Sequence, residues 1–280
     1  MSLTVYPITN FAAEVGDLDL ANVTSPDEIF KLLKQYGVLI FPNQNLTQQQ
    51  HISFSKLFGT IDYSVEKNLD NANPRIPVEL ADVSNSIGEG TWFADSPRRK
   101  IILANRLWHT DSSFKSPAAH LTMLYARSIP PVGGHTEFAD SAAAFAELDT
   151  ATQRHLRTLT VEHSIFNSRI KLGNYTFTQQ EADSMPSVYH SLVQKDSISG
   201  KEALYVSAHA GYVVDMPKNQ GQQLLEQLTE HATQRKYVYT HRWRQNDLVI
   251  WNNYSTLHRG TEFDDLKWPR DFQRATVILN

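Results

Sequence analysis

Within RLWHTDSSF (106–114) a histidine and an aspartate stand one residue apart, His109 and Asp111. An imidazole nitrogen and a carboxylate oxygen both ligate divalent metal ions. On an extended strand, residues i and i+2 point to the same face. Two ligands on one face need a third from elsewhere, and the best candidate is His258 in DLVIWNNYSTLHRG (247–260), which follows a strongly apolar strand and a turn. Two neutral imidazoles and one carboxylate form the facial triad that suits Fe(II) and leaves coordination positions open for substrates and O₂. The same donors suit zinc, whose bound water would make a hydrolase. Spacing alone does not choose between the metals, and Asp111 could instead cap a turn with Ser112 and Ser113.

A second pair of residues bears on the choice. Arg270 and Arg274, in PRDFQRATVIL, are four apart and share a face if the segment is extended. Arginine pairs with carboxylates through two parallel hydrogen bonds and keeps its charge. Two arginines aimed into a barrel would hold two anionic groups; the alternative is a surface strand with solvated side chains.

The rest of the chain must position these groups. It has 280 residues, 41% hydrophobic and 20% charged, an ordinary globular composition with room for a substantial core. Twenty-six basic against 30 acidic residues give a net charge of −4, which provides no broad basic field for nucleic acid and no polybasic membrane patch. An anionic ligand therefore depends on a few placed arginines. The absence of cysteine excludes disulfides, thiolate metal sites and cysteine nucleophiles. The N-terminal stretch lacks a signal-peptide pattern and no apolar run is long enough to span a membrane, so a cytoplasmic protein is expected.

GVLIFP (37–42) reads as a buried strand. LTQQQHISFSKLFG (46–59) reads as a helix, capped by Thr47 and closed by Gly59. Residues 62–100 are irregular, with only ELADVSN (79–85) strand-like, and read as an active-site lid; its Lys67, Arg75, Arg98, Arg99 and Lys100 could close on an anion. Strands follow at 120–130 and 136–140, separated by the turn PPVGG. One or two helices are expected over 141–159, a strand at 204–209 and an amphipathic helix at 221–234. Three further strands are expected at 237–243, 247–253 and 272–279. Such evenly spaced short strands point to a mainly β sandwich, jelly roll or barrel with flanking helices, in one domain over residues 1–280.

WHTDSSF (108–114), GGHTEFAD (133–140), DLVIWNNYSTLHRG (247–260) and PRDFQRAT (269–276) together resemble the iron(II)- and 2-oxoglutarate-dependent dioxygenases of the taurine dioxygenase family. The similarity is greatest to the branch containing 2,4-dichlorophenoxyacetate dioxygenase, to which ELADVSN, PAAHLTMLYA and HATQRKYVYTHRW also correspond. The resemblance implies a double-stranded β-helix, a cupin-like jelly-roll barrel with iron at its mouth. It implies His109, Asp111 and His258 as ligands of Fe(2+), with 2-oxoglutarate and O₂ as cosubstrates. Thr136 and Arg270 match the residues that hold the distal carboxylate of 2-oxoglutarate, and Trp251 matches a tryptophan on the pocket floor. Asn105, His209 and Arg274 match positions near the substrate. The implied reaction hydroxylates a small anionic molecule, an aryloxyacetate first, and releases succinate and CO₂. A sulfonate or a purine is the alternative substrate on this scaffold. A zinc hydrolase or a non-catalytic binding protein is the alternative from another class. The family often forms dimers or tetramers, and a homo-oligomer is expected. Fold and iron chemistry carry across such a family more safely than substrate does.

Overall fold

In VLIF, LTMLYARS, LVIWN and DFQRATVI, alternate side chains leave for opposite faces, and the two sets find different partners. A computed structural model describes residues 3–63, 76–87, 90–91, 99, 102–173 and 178–279. One set, Val38, Ile40, Leu124, Val249, Trp251 and Phe272, packs with Phe138 of a second sheet. The other set, including Leu39, Phe41, Met123, Ile250 and Val277, packs on Ile29 and Leu33 of helix Asp27–Gln35 and on Ile52 and Phe54 of helix Gln48–Lys56. Period-two alternation in a sheet buried on both faces thus makes two cores.

The larger sheet has eight strands. Thr4–Pro7, Ala12–Gly16, Val38–Phe41, Leu248–Asn252, Leu121–Ser128, Asp271–Ile278 and Thr60–Ile61 follow in spatial order, with Ala81–Asp82 also beside Asp271–Ile278. Among the described residues only Ala12–Gly16 and Val38–Phe41 run parallel; the other pairs described in this sheet are antiparallel. The smaller sheet orders Val238–His241, Thr136–Asp140 and Thr256–Gly260, all antiparallel. Its register pairs His258 with Phe138 and Tyr239 with Phe138, so these side chains face the larger sheet, while Ala139 and Leu257 pack outward on Phe145, Leu225 and Leu228. The two sheets are the walls of a jelly roll, the fold expected from the sequence.

Helix Gln48–Lys56 starts with a full capping box, in which the Thr47 side chain accepts from Gln50 N and Gln50 answers back. Gly59 sits at φ 151°, where a Cβ would lie 2.2 Å from Ile278 O. The 141–159 stretch forms two helices, Ser141–Ala146 and Thr150–Leu156, each N-capped by an aspartate, Asp140 and Asp149.

Three expectations change. LYVSAH is not a continuous strand: strand Glu202–Leu204 ends at its first residue, and further on Ser207 Oγ accepts from His209 N and Ser207 O accepts from Ala210 N, a hydroxyl-stabilised turn that a β-rich composition conceals. ELADVSN contributes only Ala81–Asp82 to the sheet, because Asn85 instead bonds the loop before the C-terminal strand. Most of the lid expected at 62–100 lies outside the described residues, including Lys67, Arg75, Arg98 and Lys100. Among the described residues no helix is long and apolar enough to cross a membrane.

Two core histidines give the fold a pH dependence. Burial pushes His51 down to about 4. Burial, then the neighbouring His190 and Lys171, pushes His163 down to about 3. In the unfolded chain both titrate near 6.5. The folded rings stay neutral where the unfolded ones take up protons, so their stabilisation is complete above that value and is lost as the pH falls toward 4. The thermal midpoint is expected to drop steadily between about pH 6.5 and about pH 4, and His51→Leu is expected to make the slope shallower. A flat profile in that window in melts monitored by circular dichroism contradicts the assignment.

Candidate metal centre and its two cavities

His109 and His258 meet through a two-residue antiparallel bridge: His109 N donates to His258 O at 3.0 Å and His258 N donates to His109 O at 2.8 Å. Their ring centroids lie 4.1 Å apart. Asp111 is two residues beyond the bridge, in a turn in which Ser112 adopts φ 57°. His109 and Asp111 therefore do not share a regular strand. A single bridge and a turn bring them together instead. His109 Nε2 lies 4.0 Å from Asp111 Oδ1, and His258 Nε2 lies 3.5 Å from Asp111 Oδ2. One ligand atom from each residue falls within 4.8 Å of the other two, and all three residues are buried.

The donor set fits a divalent cation. Leu107 O can only accept, so His109 Nδ1, 2.8 Å away, carries the proton and Nε2 presents its lone pair to the site. Burial lowers His109 below the usual histidine range. Burial and the His109 charge lower His258 well below it. Both rings are therefore neutral donors. Burial opposes ionisation of Asp111, but Arg274, His258, His109 and the Thr122 hydroxyl outweigh it and hold the carboxyl below the usual carboxylate range. Arg274 Nη1 donates to Asp111 Oδ1 at 2.6 Å. Two neutral nitrogens and a fixed anion make a site whose charge a divalent ion reverses.

Asn253 holds the carboxylate in place, a role its sequence context does not announce. Its Oδ1 accepts from Asp111 N at 3.1 Å and from Trp251 Nε1 at 3.0 Å. Its Nδ2 donates to Thr122 Oγ1 at 2.8 Å, and that hydroxyl donates to Asp111 Oδ2 at 2.8 Å. Its carbonyl accepts from Thr110 Oγ1 at 2.6 Å. One buried amide thus fixes the backbone and the side chain of Asp111 and ties both to the strand preceding His258. The signal in the sequence is the amide pair Asn252–Asn253, which ends the strand expected at 247–253 and is fully enclosed. Asn253→Ala is expected to lower metal affinity about 10- to 100-fold and stability by about 1–3 kcal/mol, through unpaired groups at Asp111, Thr122 and Trp251. Metal titration and thermal unfolding of the variant check both effects.

Two cavities meet at the triad. One is lined by His258, Thr136, Trp251, Gly134, Arg270 and neighbours. The other is lined by Asp111, His209, Phe114, Ser168, Arg169 and neighbours. His109, Asn105 and Arg274 border both. In the first cavity the Arg270 guanidinium lies 3.7 Å from the Phe272 ring centroid, and Nε donates to Gly134 O at 3.4 Å. Burial pushes it below the ordinary arginine value. Among the described residues no carboxylate pairs with it. Thr136 Oγ1 accepts from Trp243 Nε1 at 2.9 Å, which leaves its own proton free to donate. Trp251 is 1% exposed and packs its ring 4.6 Å from His258.

In the second cavity the His209 ring lies 4.8 Å from Phe114 and 6.1 Å from His109, with Nδ1 unpartnered. Burial, then the His109 charge, lowers His209 well below the usual range. Arg99 lines the first cavity and donates to Asp265 at 2.6 Å, and Arg106 joins it at 3.3 Å. Asn85 fastens the same loop by donating to Asp265 O and Trp268 O and accepting from Arg270 N. Arg169 is also absent from the candidates expected from sequence; it belongs to a helix not anticipated there, Ile165–Lys171.

Residues 4–276 match the family model described as "Taurine catabolism dioxygenase TauD, TfdA family". The chain is 40% identical to an alpha-ketoglutarate-dependent 2,4-dichlorophenoxyacetate dioxygenase of Cupriavidus pinatubonensis, covering 99% of this chain and 98% of that protein. It is 31% identical to an (S)-phenoxypropionate/alpha-ketoglutarate-dioxygenase of Sphingobium herbicidovorans, over 82% of this chain and 78% of that one. Among solved structures, AAD-2 in complex with Mn(II) and N-oxalylglycine superposes with a TM-score of 0.93 at 36% identity, covering 100% of this chain and 99% of that chain. These relatives do not favour the zinc hydrolase that spacing alone left open. The ligand geometry, the two cavities and these similarities agree, and the chain belongs to the TauD/TfdA family of dioxygenases.

Proposed function

We propose that this chain is an Fe(II)- and 2-oxoglutarate-dependent dioxygenase that hydroxylates a small aryloxyalkanoate, with decarboxylation of 2-oxoglutarate to succinate and CO₂. The observation that carries this reading is the position of Arg270: a cation without a carboxylate partner among the described residues, in a cavity that His109 and His258 border. A zinc-bound water would not call for that cation, whereas the distal carboxylate of a dicarboxylate cosubstrate would.

His109 Nε2, His258 Nε2 and Asp111 would hold Fe(II), which with 2-oxoglutarate and O₂ supplies the oxidising power for C–H hydroxylation. The protein's own part is orientation. Arg270 pairs with the distal carboxylate and Thr136 donates its free proton to it. The Trp251 ring closes the floor and excludes water. Asn105, His209 and Arg274 face the substrate. Hydroxylation of the carbon between an ether oxygen and a carboxylate gives a hemiacetal, which separates into a phenol and, from an aryloxyacetate, glyoxylate.

We further place the protein in the cytoplasm as a single-domain dimer or tetramer acting on small molecules. A panel of phenoxyacetates, alkylsulfonates and xanthine, read by succinate release, tests the function. Turnover confined to sulfonates replaces the substrate class. No succinate with any of them, together with no visible absorbance on anaerobic addition of Fe(II) and 2-oxoglutarate, removes the dioxygenase reading.

A further inference from the structure

Thr136 and Arg270 line one cavity, and a single indole ring connects them from behind. Trp243 Nε1 donates to Thr136 Oγ1 at 2.9 Å. The same ring meets Phe272 edge-on, with centroids 4.7 Å apart. Phe272 in turn carries the Arg270 guanidinium, 3.7 Å from its centroid. Arg270 Nε donates to Gly134 O at 3.4 Å, two residues before Thr136, so both polar groups stand at one end of the cavity. Trp243 is buried and lines a neighbouring surface cleft instead, with Pro130 and Trp268.

The fold holds this ring tightly. The register of the smaller sheet pairs His241 with Thr136, so the indole two residues further along arrives beside the Thr136 hydroxyl. His241 packs edge-on against the indole, with centroids 4.5 Å apart. The turn that follows closes on the buried Asp247. Arg244 N donates to its Oδ2 at 3.0 Å and Arg244 Nε to its Oδ1 at 3.2 Å, and His241 Nε2 lies 3.1 Å from Oδ2. An indole N–H can only donate, whereas a threonine hydroxyl has one proton and two lone pairs. Trp243 therefore occupies one lone pair of Thr136 and restricts the directions in which the hydroxyl proton can point.

We propose that Trp243 is a positioning residue for the cosubstrate: it fixes the Thr136 hydroxyl as a donor toward the distal carboxylate and backs the Phe272 ring on which Arg270 rests. It thereby favours a 2-oxo acid that ends in a second carboxylate over one that ends in an alkyl group. This rests on the cosubstrate reading given above. Trp243 touches no reacting atom and acts through Thr136 and Phe272.

The test compares 2-oxoglutarate with 2-oxopentanoate, which keeps the carbon chain and lacks the distal carboxylate. Full-length protein loaded with Fe(II) is titrated anaerobically with each acid, and dissociation constants are read from the visible absorbance. Trp243→Phe keeps an aromatic ring against Phe272 and removes the N–H. It is expected to weaken 2-oxoglutarate about 10-fold and to leave 2-oxopentanoate within about twofold. In a Thr136→Val background the same substitution is expected to add less than about threefold, because the hydroxyl it acts on is gone. Unchanged 2-oxoglutarate binding in a folded Trp243→Phe variant overturns the proposal. So does an equal loss for both acids, which marks a structural role, or the full loss persisting in the Thr136→Val background. Wild-type protein decides the matter if the variant does not fold. With Zn(II) in place of iron, the Trp243 indole ¹⁵N resonance is expected to move with 2-oxoglutarate and to stay with 2-oxopentanoate; no movement, or the same movement with both, overturns the proposal. Failure of the underlying reading shows differently: wild-type protein with Fe(II) and 2-oxoglutarate would itself show no visible absorbance, and both readings would fall.

Discussion

Asp111→Ala is expected to reduce 2-oxoglutarate-dependent turnover by at least about 10³-fold, equivalent to about 4 kcal/mol of lost transition-state stabilisation. The triad holds one anion, and its removal leaves two neutral imidazoles beside the Arg274 cation. A site of that charge repels a divalent ion. The expected readouts are metal content far below one equivalent after reconstitution, no visible absorbance on anaerobic addition of Fe(II) and 2-oxoglutarate, and no succinate. Asp111→Asn separates shape from charge. It preserves the packing against Asn253 and Thr122 but removes the anion, and it is expected to fold with a near-native melting temperature while losing activity as fully. An Asp111→Asn enzyme that keeps a tenth of wild-type turnover shows that the carboxylate is not the anionic ligand.

The second large effect concerns Arg270. Arg270→Leu is expected to raise the KM for the 2-oxoglutarate cosubstrate about 10²- to 10³-fold, the range for removing one partner of an enclosed charge pair, about 3–4 kcal/mol. Its sign on stability is expected to be opposite. Among the described residues the guanidinium has no carboxylate partner and sits against the Phe272 ring, so a shorter apolar side chain removes an under-solvated cation. The melting temperature of the ligand-free variant is expected to hold or rise. A stabilised protein with poor cosubstrate binding is the signature of a group retained for function. Arg270→Leu with a normal KM for the cosubstrate contradicts the assignment, as does a variant whose KM rises only because it has partly unfolded. Isothermal titration with 2-oxoglutarate beside thermal melts distinguishes these results.

The candidate site residues are legible because their types are uncommon together: His109, Asp111 and His258, which the fold gathers into one cluster, and Arg270 and Arg274 stand out in a chain of ordinary composition. The path by which they meet is not. Period-two spacing puts His109 and Asp111 on one strand, whereas a bridge to His258 and a turn at Ser112 do the positioning. The strands at 38–41, 121–128, 248–252 and 271–278 were visible because apolar runs bounded by polar turns have few other uses. LYVSAH has the same composition, but the Ser207 hydroxyl competes for the backbone and turns the chain. Asn253, Thr122 and Arg169 escaped for a common reason. Each has a partner or cavity far away in sequence, and its residue type is ordinary for a turn, a strand or a helix. Burial converts such ordinary residues into supports of a site, and burial is a property of the assembled fold.

Strand Asp271–Ile278 lies inside the larger sheet, with Leu121–Ser128 on one side and Thr60–Ile61 and Ala81–Asp82 on the other. During synthesis these flanking strands emerge from the ribosome long before the strand that joins them. Until it arrives they present open edges, and Arg274 cannot yet reach Asp111. His258 also emerges well after His109. A nascent chain that lacks His258 therefore carries two of the three ligands, and the cavity walls that Trp251, Arg270 and Arg274 supply are still missing. The order of strands along the chain completes the ligand cluster late, and the same order leaves slow, long-range pairing as the step at which growing chains are exposed to aggregation.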